Sequence, residues 1–164
     1  MSAPTTATGR LTLSEVAVGD ELPPLSYDVT STTIVVGALA TRDWRPQHHD
    51  FHFATERNGV KDIFLNSPNQ LAWFERYLTD WSGPAGRIGR LSFRMIDSIF
   101  PGDTMVFTAV VTTVDTDETG CGWAGVDIAV MVGEKTCTTC KARIALPTTP
   151  DDNPWARRGE RWIP

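Results

Sequence analysis

Between residues 87 and 146 apolar side chains recur at every second position, the period of a half-buried strand. IGRLSFRMID sets Leu91, Phe93 and Met95 on one face. Pro101-Gly102-Asp103 forms a turn, and the β-branched stretch TMVFTAVVTTV after it predicts a long strand. VDIAVMV alternates Val126, Ile128, Val130 and Val132, and CKARIAL supplies a last strand. Upstream the period lengthens. Leu71, Phe74, Leu78 and Trp81 follow a helical rhythm, and Trp73 and Tyr77 widen the apolar face. Ser67 is a suitable N-cap, Pro68 suits the first helical position, and Gly83-Pro84 ends the helix, which therefore spans about 67–82. LTLSEVAVGDELPPLSYDVT breaks at Gly19-Asp20 and Pro23-Pro24, so it predicts a lead-in and an edge strand. In TTIVVGALATRD the run Thr33 to Val36 favours a strand, whereas GALATRD tolerates a helix. One long helix followed by several antiparallel strands makes the class α+β.

The 164 residues form one domain whose folding buries roughly 70% of the unfolded chain's surface. A hydrophobic content of 41% against 21% charged marks a globular chain, and a net charge of −5 without a basic stripe argues against a nucleic-acid partner. MSAPTTATGR lacks the apolar run of a signal peptide and predicts a disordered terminus over 1–10; residues 147–164 form a proline-rich tail. No run approaches the length needed to span a membrane. The odd cysteine count, at 121, 137 and 140, fits a cytoplasmic chain with reduced thiols. Cys137 and Cys140 lack a second ligand pair for a zinc ribbon. On a strand, Cys140 would face inward with Ala142, Ile144 and Leu146, leaving Cys137 outward.

All three histidines fall in DWRPQHHDFH, residues 43–52. A metal site would draw on His48, His49, Asp50 and His52, with His48 and His52 sharing a face if the segment were helical. Pro46 disfavours a helix through Arg45, and no distant Cys or His completes the ligand set. A solvated loop is the plain alternative. A third reading is acid/base chemistry, in which Asp43 and His48 converge on one water molecule across the proline turn.

These residues resemble the signature D-x-N-P-x-H-x-D-x-x-F-A of the MaoC-like (R)-specific enoyl-CoA hydratases. Asp43, Pro46, His48, Asp50, Phe53 and Ala54 stand in register with it. LSFRMIDSIFPGDTMVFTAVV is similar to the family's strand, F-P-G-D turn and next strand, so the resemblance covers about 11–146. It implies a hot-dog fold, an antiparallel sheet wrapped around the helix at about 67–82, and a helical TTIVVGALATRD. More narrowly, ATRD, HHD, KDIF, RYLTDW and GP resemble the single-domain subunit of actinobacterial steroid side-chain hydratases, which pairs with a second MaoC-like chain carrying an OB-type domain. The family's Asn is Arg45 here, and its His-Gly before the central helix is Leu65-Asn66.

The resemblance implies a hydro-lyase adding water to a trans-2-enoyl-CoA to give a (R)-3-hydroxyacyl-CoA, with a bulky or steroid-derived acyl chain. Asp43 and His48 are the implied catalytic pair, and which is the formal base stays open. Backbone N–H groups at Asn66 and Ser67 are the implied substrate-binding donors, placed at a helix N-terminus that favours developing negative charge. Proton transfer needs no metal and no cofactor, since coenzyme A enters with the substrate. The implied assembly is a homodimer, or a heteromer with a second MaoC-like chain. A hot-dog thioesterase and a catalytically weak partner subunit are the alternatives.

Overall fold

The computed structural model describes residues 10–164. The expected disordered terminus therefore lies outside the described residues, apart from Arg10, whose guanidinium donates to the Asp152 carbonyl at 2.5 Å. The elements in chain order are β1 (Glu21–Asp28), α1 (Ser31–Ala40), α2 (Ser67–Ser82), β2 (Arg87–Met95), β3 (Thr104–Thr116), β4 (Gly122–Val132) and β5 (Lys135–Leu146). The five strands form one antiparallel sheet in the order β1-β3-β4-β5-β2. This is the α+β hot-dog arrangement, with α2 as the central helix.

Helix α2 is amphipathic for the reason its rhythm predicts. Phe74, Tyr77 and Leu78 are buried in the same core as Phe107, Val126, Ile128, Val130, Ala142 and Ile144 of the sheet. Full burial of side chains such as Phe74 and Leu78 contributes about 1.5–3 kcal/mol each. The helix spans the expected 67–82, but its cap lies one residue earlier than expected. Asn66, not Ser67, is the N-cap, its side chain accepting from the Asn69 N–H, and Pro68 follows within the first turn.

The local preference of Thr33–Val36 for a strand loses to helix α1. Thr30 and Thr33 form a reciprocal cap, each side chain bonded to the other's backbone N–H. Ile34 and Ala38, four residues apart, then supply the buried seam. A Cβ at Gly37 would overlap the Asn69 carboxamide, so only glycine lets α1 approach α2 this closely.

β1 is an edge strand whose register shifts between Leu22 and Leu25, where two prolines cannot donate to a ladder. One side-chain orientation departs from strict alternation. Between Val130 and Met131 the β4–β5 register shifts, pairing Val130 with Thr138 and Met131 with Thr136. The irregularity turns Cys137 inward, so Cys137 and Cys140 are both buried, against the outward position expected for Cys137. Both thiols are free, and burial pushes the Cys140 thiol up to about 11.

The proline-rich segment after β5 lies against the sheet. Trp162 stacks on Trp123 with centroids 5.0 Å apart, Arg87 sits 3.5 Å over the Trp162 ring, and Arg87 donates to the carbonyls of Pro154 and Arg157.

Candidate active site

The loop that carries Asp43 begins at the end of α1. Arg42 adopts a left-handed conformation with φ 56°, while the Arg42 N–H bonds to the Leu39 carbonyl and the Asp43 N–H to the Ala38 carbonyl. This is the Schellman pattern, ordinarily closed by glycine; an arginine there holds mild backbone strain. The reversal sends the chain back over α2 and sets Asp43 above the start of that helix. Arg45 is extended, as a residue before proline should be, and Pro46–His48 form one 3-10 turn that brings His48 back toward Asp43.

The result is a pair. His48 Nε2 lies 3.5 Å from Asp43 Oδ2. His48 is only 4% exposed, whereas the Asp43 carboxylate stays partly open at the surface. The other imidazole nitrogen, Nδ1, lies 2.7 Å from the Phe64 carbonyl. A carbonyl only accepts, so Nδ1 carries a proton in this bond, and Nε2 is the nitrogen that faces the carboxylate. Asp43 Oδ2 also accepts from the Asn66 carboxamide at 3.0 Å. Partial burial pushes the Asp43 carboxyl up, but the Asn66 hydrogen bond, the His48 imidazole and the Arg45 N–H outweigh it and hold the group below the usual aspartate value. The arrangement sets a carboxylate and an imidazole side by side, the carboxylate at the partly open edge.

The rest of the histidine cluster does not converge on this point. His49 is exposed, and His52 faces solvent beside Glu56 at 3.1 Å. Among the described residues no three His, Cys, Asp or Glu side chains form a group that could hold a metal ion. Of the two expected substrate-binding positions, Asn66 is buried at 1% exposure and Ser67 is exposed, its hydroxyl on the Met95 sulfur at 2.9 Å. Both sit at the N-terminus of α2, where the first N–H groups have no acceptor within the helix. The side-chain role of Asn66 toward Asp43, the part of Thr41 behind it and the Phe64 carbonyl escaped the sequence reading. A carbonyl has no residue-type signal at all.

A cleft of about 480 Å³ lies between β1, α1 and α2, lined among others by Tyr27, Thr33, Val36, Gly37, Asn69 and Trp73. Asn69 links it to the site, since its N–H bonds to the Asn66 side chain. Of the aromatic side chains on the apolar face of α2, Trp73 lines this cleft, while Phe74 and Tyr77 are buried in the core. A larger groove of about 850 Å³ lies along the sheet, lined by residues such as Arg94, Thr108 and Lys141, none of which belongs to the site. Lys61 and Asp103, from the KDIF and PGD stretches, meet at 3.7 Å, with Lys61 4.5 Å over the Phe100 ring.

Fold and site together define a hot-dog protein that brings an aspartate and a histidine side by side. No protein-family profile matches the chain. Over 98 residues it is 40% identical to the 3-oxo-4,17-pregnadiene-20-carboxyl-CoA hydratase beta subunit of Mycobacterium tuberculosis, covering 60% of this chain and 75% of that one. A chain in the crystal structure of the ChsH1-ChsH2 complex from the same organism superposes with a TM-score of 0.73 and 32% identity, over 79% of this chain and 98% of that one. The MaoC-like dehydratase from Rhodospirillum rubrum shares the fold at TM-score 0.74 and 16% identity, over 85% of this chain and 99% of its own. The chain belongs to the MaoC-like hydratase/dehydratase family.

Proposed function

We propose that the protein is a hydro-lyase that adds water across the double bond of a trans-2-enoyl-CoA, forming a (R)-3-hydroxyacyl-CoA. The observation that carries this is the 3.5 Å approach of His48 Nε2 to Asp43 Oδ2, with Nδ1 tied to the Phe64 carbonyl. Two acceptors at that separation can each take one hydrogen of the same water, leaving an oxygen lone pair for carbon 3. As the C3–O bond forms, the π electrons move to carbon 2 and the thioester carbonyl, and the proton lost by the water is returned to carbon 2. His48 suits the relay and Asp43 the orientation of the water. The N–H groups of Asn66 and Ser67 are the donors we assign to the thioester oxygen, because the helix N-terminus favours the enolate charge. The steps are proton transfers beside an acidified C–H, so the mechanism is written without a metal or redox cofactor.

The relative's name supports a steroid-derived acyl thioester as the substrate. A structural neighbour of this chain comes from the ChsH1-ChsH2 complex, which supports a second MaoC-like chain as partner. Among the described residues no helix is long and apolar enough to cross a membrane. We place the protein in the cytoplasm, where its three free thiols would stay reduced.

The test follows loss of the enoyl-thioester absorbance with crotonyl-CoA and with a steroid-sized enoyl-CoA. The chain is assayed alone and mixed with a second MaoC-like chain. Water addition without release of free thiol is expected; thiol release without hydration would make the protein a thioesterase instead.

A further inference from the structure

We propose that the side chain of Asn66 is a positioning residue for Asp43, a role separate from helix capping and from any contact with substrate. The carboxamide is buried and every polar atom of it is engaged. Its oxygen accepts from the Asn69 N–H at 3.3 Å, and its nitrogen donates to Thr41 Oγ1 at 2.9 Å and to Asp43 Oδ2 at 3.0 Å.

The polarity of this network is determined from its far end. The Thr41 hydroxyl has one proton, which it gives to the Gly37 carbonyl at 2.7 Å, with the Ala38 carbonyl 3.3 Å away. It can therefore only accept from Asn66, which orients the amide with its nitrogen toward Thr41. The second hydrogen of that nitrogen then points at Asp43. Carbonyls at the end of α1 thus fix a hydroxyl, the hydroxyl fixes an amide, and the amide fixes the carboxylate. A donor to a carboxylate favours its ionised form and one orientation of its two oxygens. The same short segment governs the other partner, since the Phe64 carbonyl holds His48. Leu65 between them is fully buried, and its N–H bonds to the Ile99 carbonyl at 2.9 Å, which ties the segment to the core.

Asn66→Ser separates the two jobs, because serine caps a helix as well as asparagine but has no second N–H to offer Asp43. Asp43 is followed by carboxyl carbon NMR across pH, a readout that a purely structural cap would not move. In the wild-type protein Asp43 should titrate below the ordinary aspartate value, and in Asn66→Ser its midpoint should rise clearly. Thermal unfolding should stay close to wild type. The kinetic consequence rests on the hydratase reading: kcat should fall about tenfold to a hundredfold, the scale of one lost charged hydrogen bond, with KM little changed. An unchanged Asp43 midpoint in Asn66→Ser would overturn the proposal. Should that variant fail to fold, Asn66→Asp, which also caps, decides the matter: its added charge should raise the Asp43 midpoint further, and no rise overturns the role. A midpoint that moves in a protein with no hydratase activity on any enoyl-CoA would leave the positioning role standing and remove the functional reading instead.

Discussion

His48 and Asp43 are both anchored to residues 64–66: the imidazole Nδ1 lies 2.7 Å from the Phe64 carbonyl, and the carboxylate lies 3.0 Å from the Asn66 amide. The two side chains are thus referenced to one short strip of chain ahead of α2.

That anchoring makes the pair, rather than the cluster, the sensitive element. Asp43→Asn and His48→Ala should each lower the hydration rate by roughly a hundredfold or more. His49→Ala and His52→Ala should stay within a few fold, since both side chains face solvent. Rates of all four variants, with unfolding temperatures recorded alongside, check this. Wild-type turnover in either of the first two would remove them from the mechanism.

The contact between α1 and α2 should couple stability to activity. In Gly37→Ala the new methyl would overlap the Asn69 carboxamide and push α1 away from α2. Overpacking of this kind costs about 1–3 kcal/mol. Because Thr41 and Asp43 follow directly on α1, kcat should drop as well. Urea unfolding and steady-state kinetics measure both; a variant as stable and as fast as wild type would show that the helices tolerate displacement.

A pH effect on stability should trace to Asp117. Partial burial pushes this carboxyl up, but the Trp123 indole, the Thr119 hydroxyl and the Cys121 and Thr119 N–H groups outweigh that and bring it to about 2. A folded-state value below the unfolded one stabilises the protein above the unfolded value, and the gain is lost as pH falls toward 2. Asp117→Asn should cost roughly 1–2 kcal/mol at pH 7, reduced from the full linkage value for solvent screening. The deficit should shrink as pH falls from about 4 to about 2. Thermal unfolding of both proteins across that range tests it, and a pH-independent deficit would assign the loss to packing alone.

Assembly is the fourth expectation. Among the described residues β1 and β2 each pair on one side only, which leaves unpaired backbone groups along two strand edges. Light scattering at micromolar concentration should report a dimer or larger species, alone or with a second MaoC-like chain. A bulky enoyl-CoA should turn over better than crotonyl-CoA. A monomer in both conditions would refute the first statement, and preference for the four-carbon substrate the second.

Much of this protein was legible in its sequence. Strands β2 to β5 and helix α2 follow from period alone, because each buries one face and the pattern of Leu91, Phe93 and Met95, or of Leu71, Phe74 and Leu78, reports which one. Asp43 and His48 could be paired across Pro46 from residue chemistry and family resemblance. Tertiary structure alone decided the rest. Thr33 to Val36 prefer a strand locally, yet the Thr30 cap and the burial of Ile34 and Ala38 beside α2 outweigh a preference of a few tenths of a kcal/mol per residue. The chain reversal at Arg42 gave no sign, since its left-handed conformation is usually marked by glycine. A one-residue register shift buried Cys137. The Asn66 side chain and the Phe64 carbonyl became parts of the site because α1 and α2 approach closely enough to bring residues 41, 43, 48, 64 and 66 together. Separations of 16 to 25 residues along the chain carry no periodicity from which such contacts could be read.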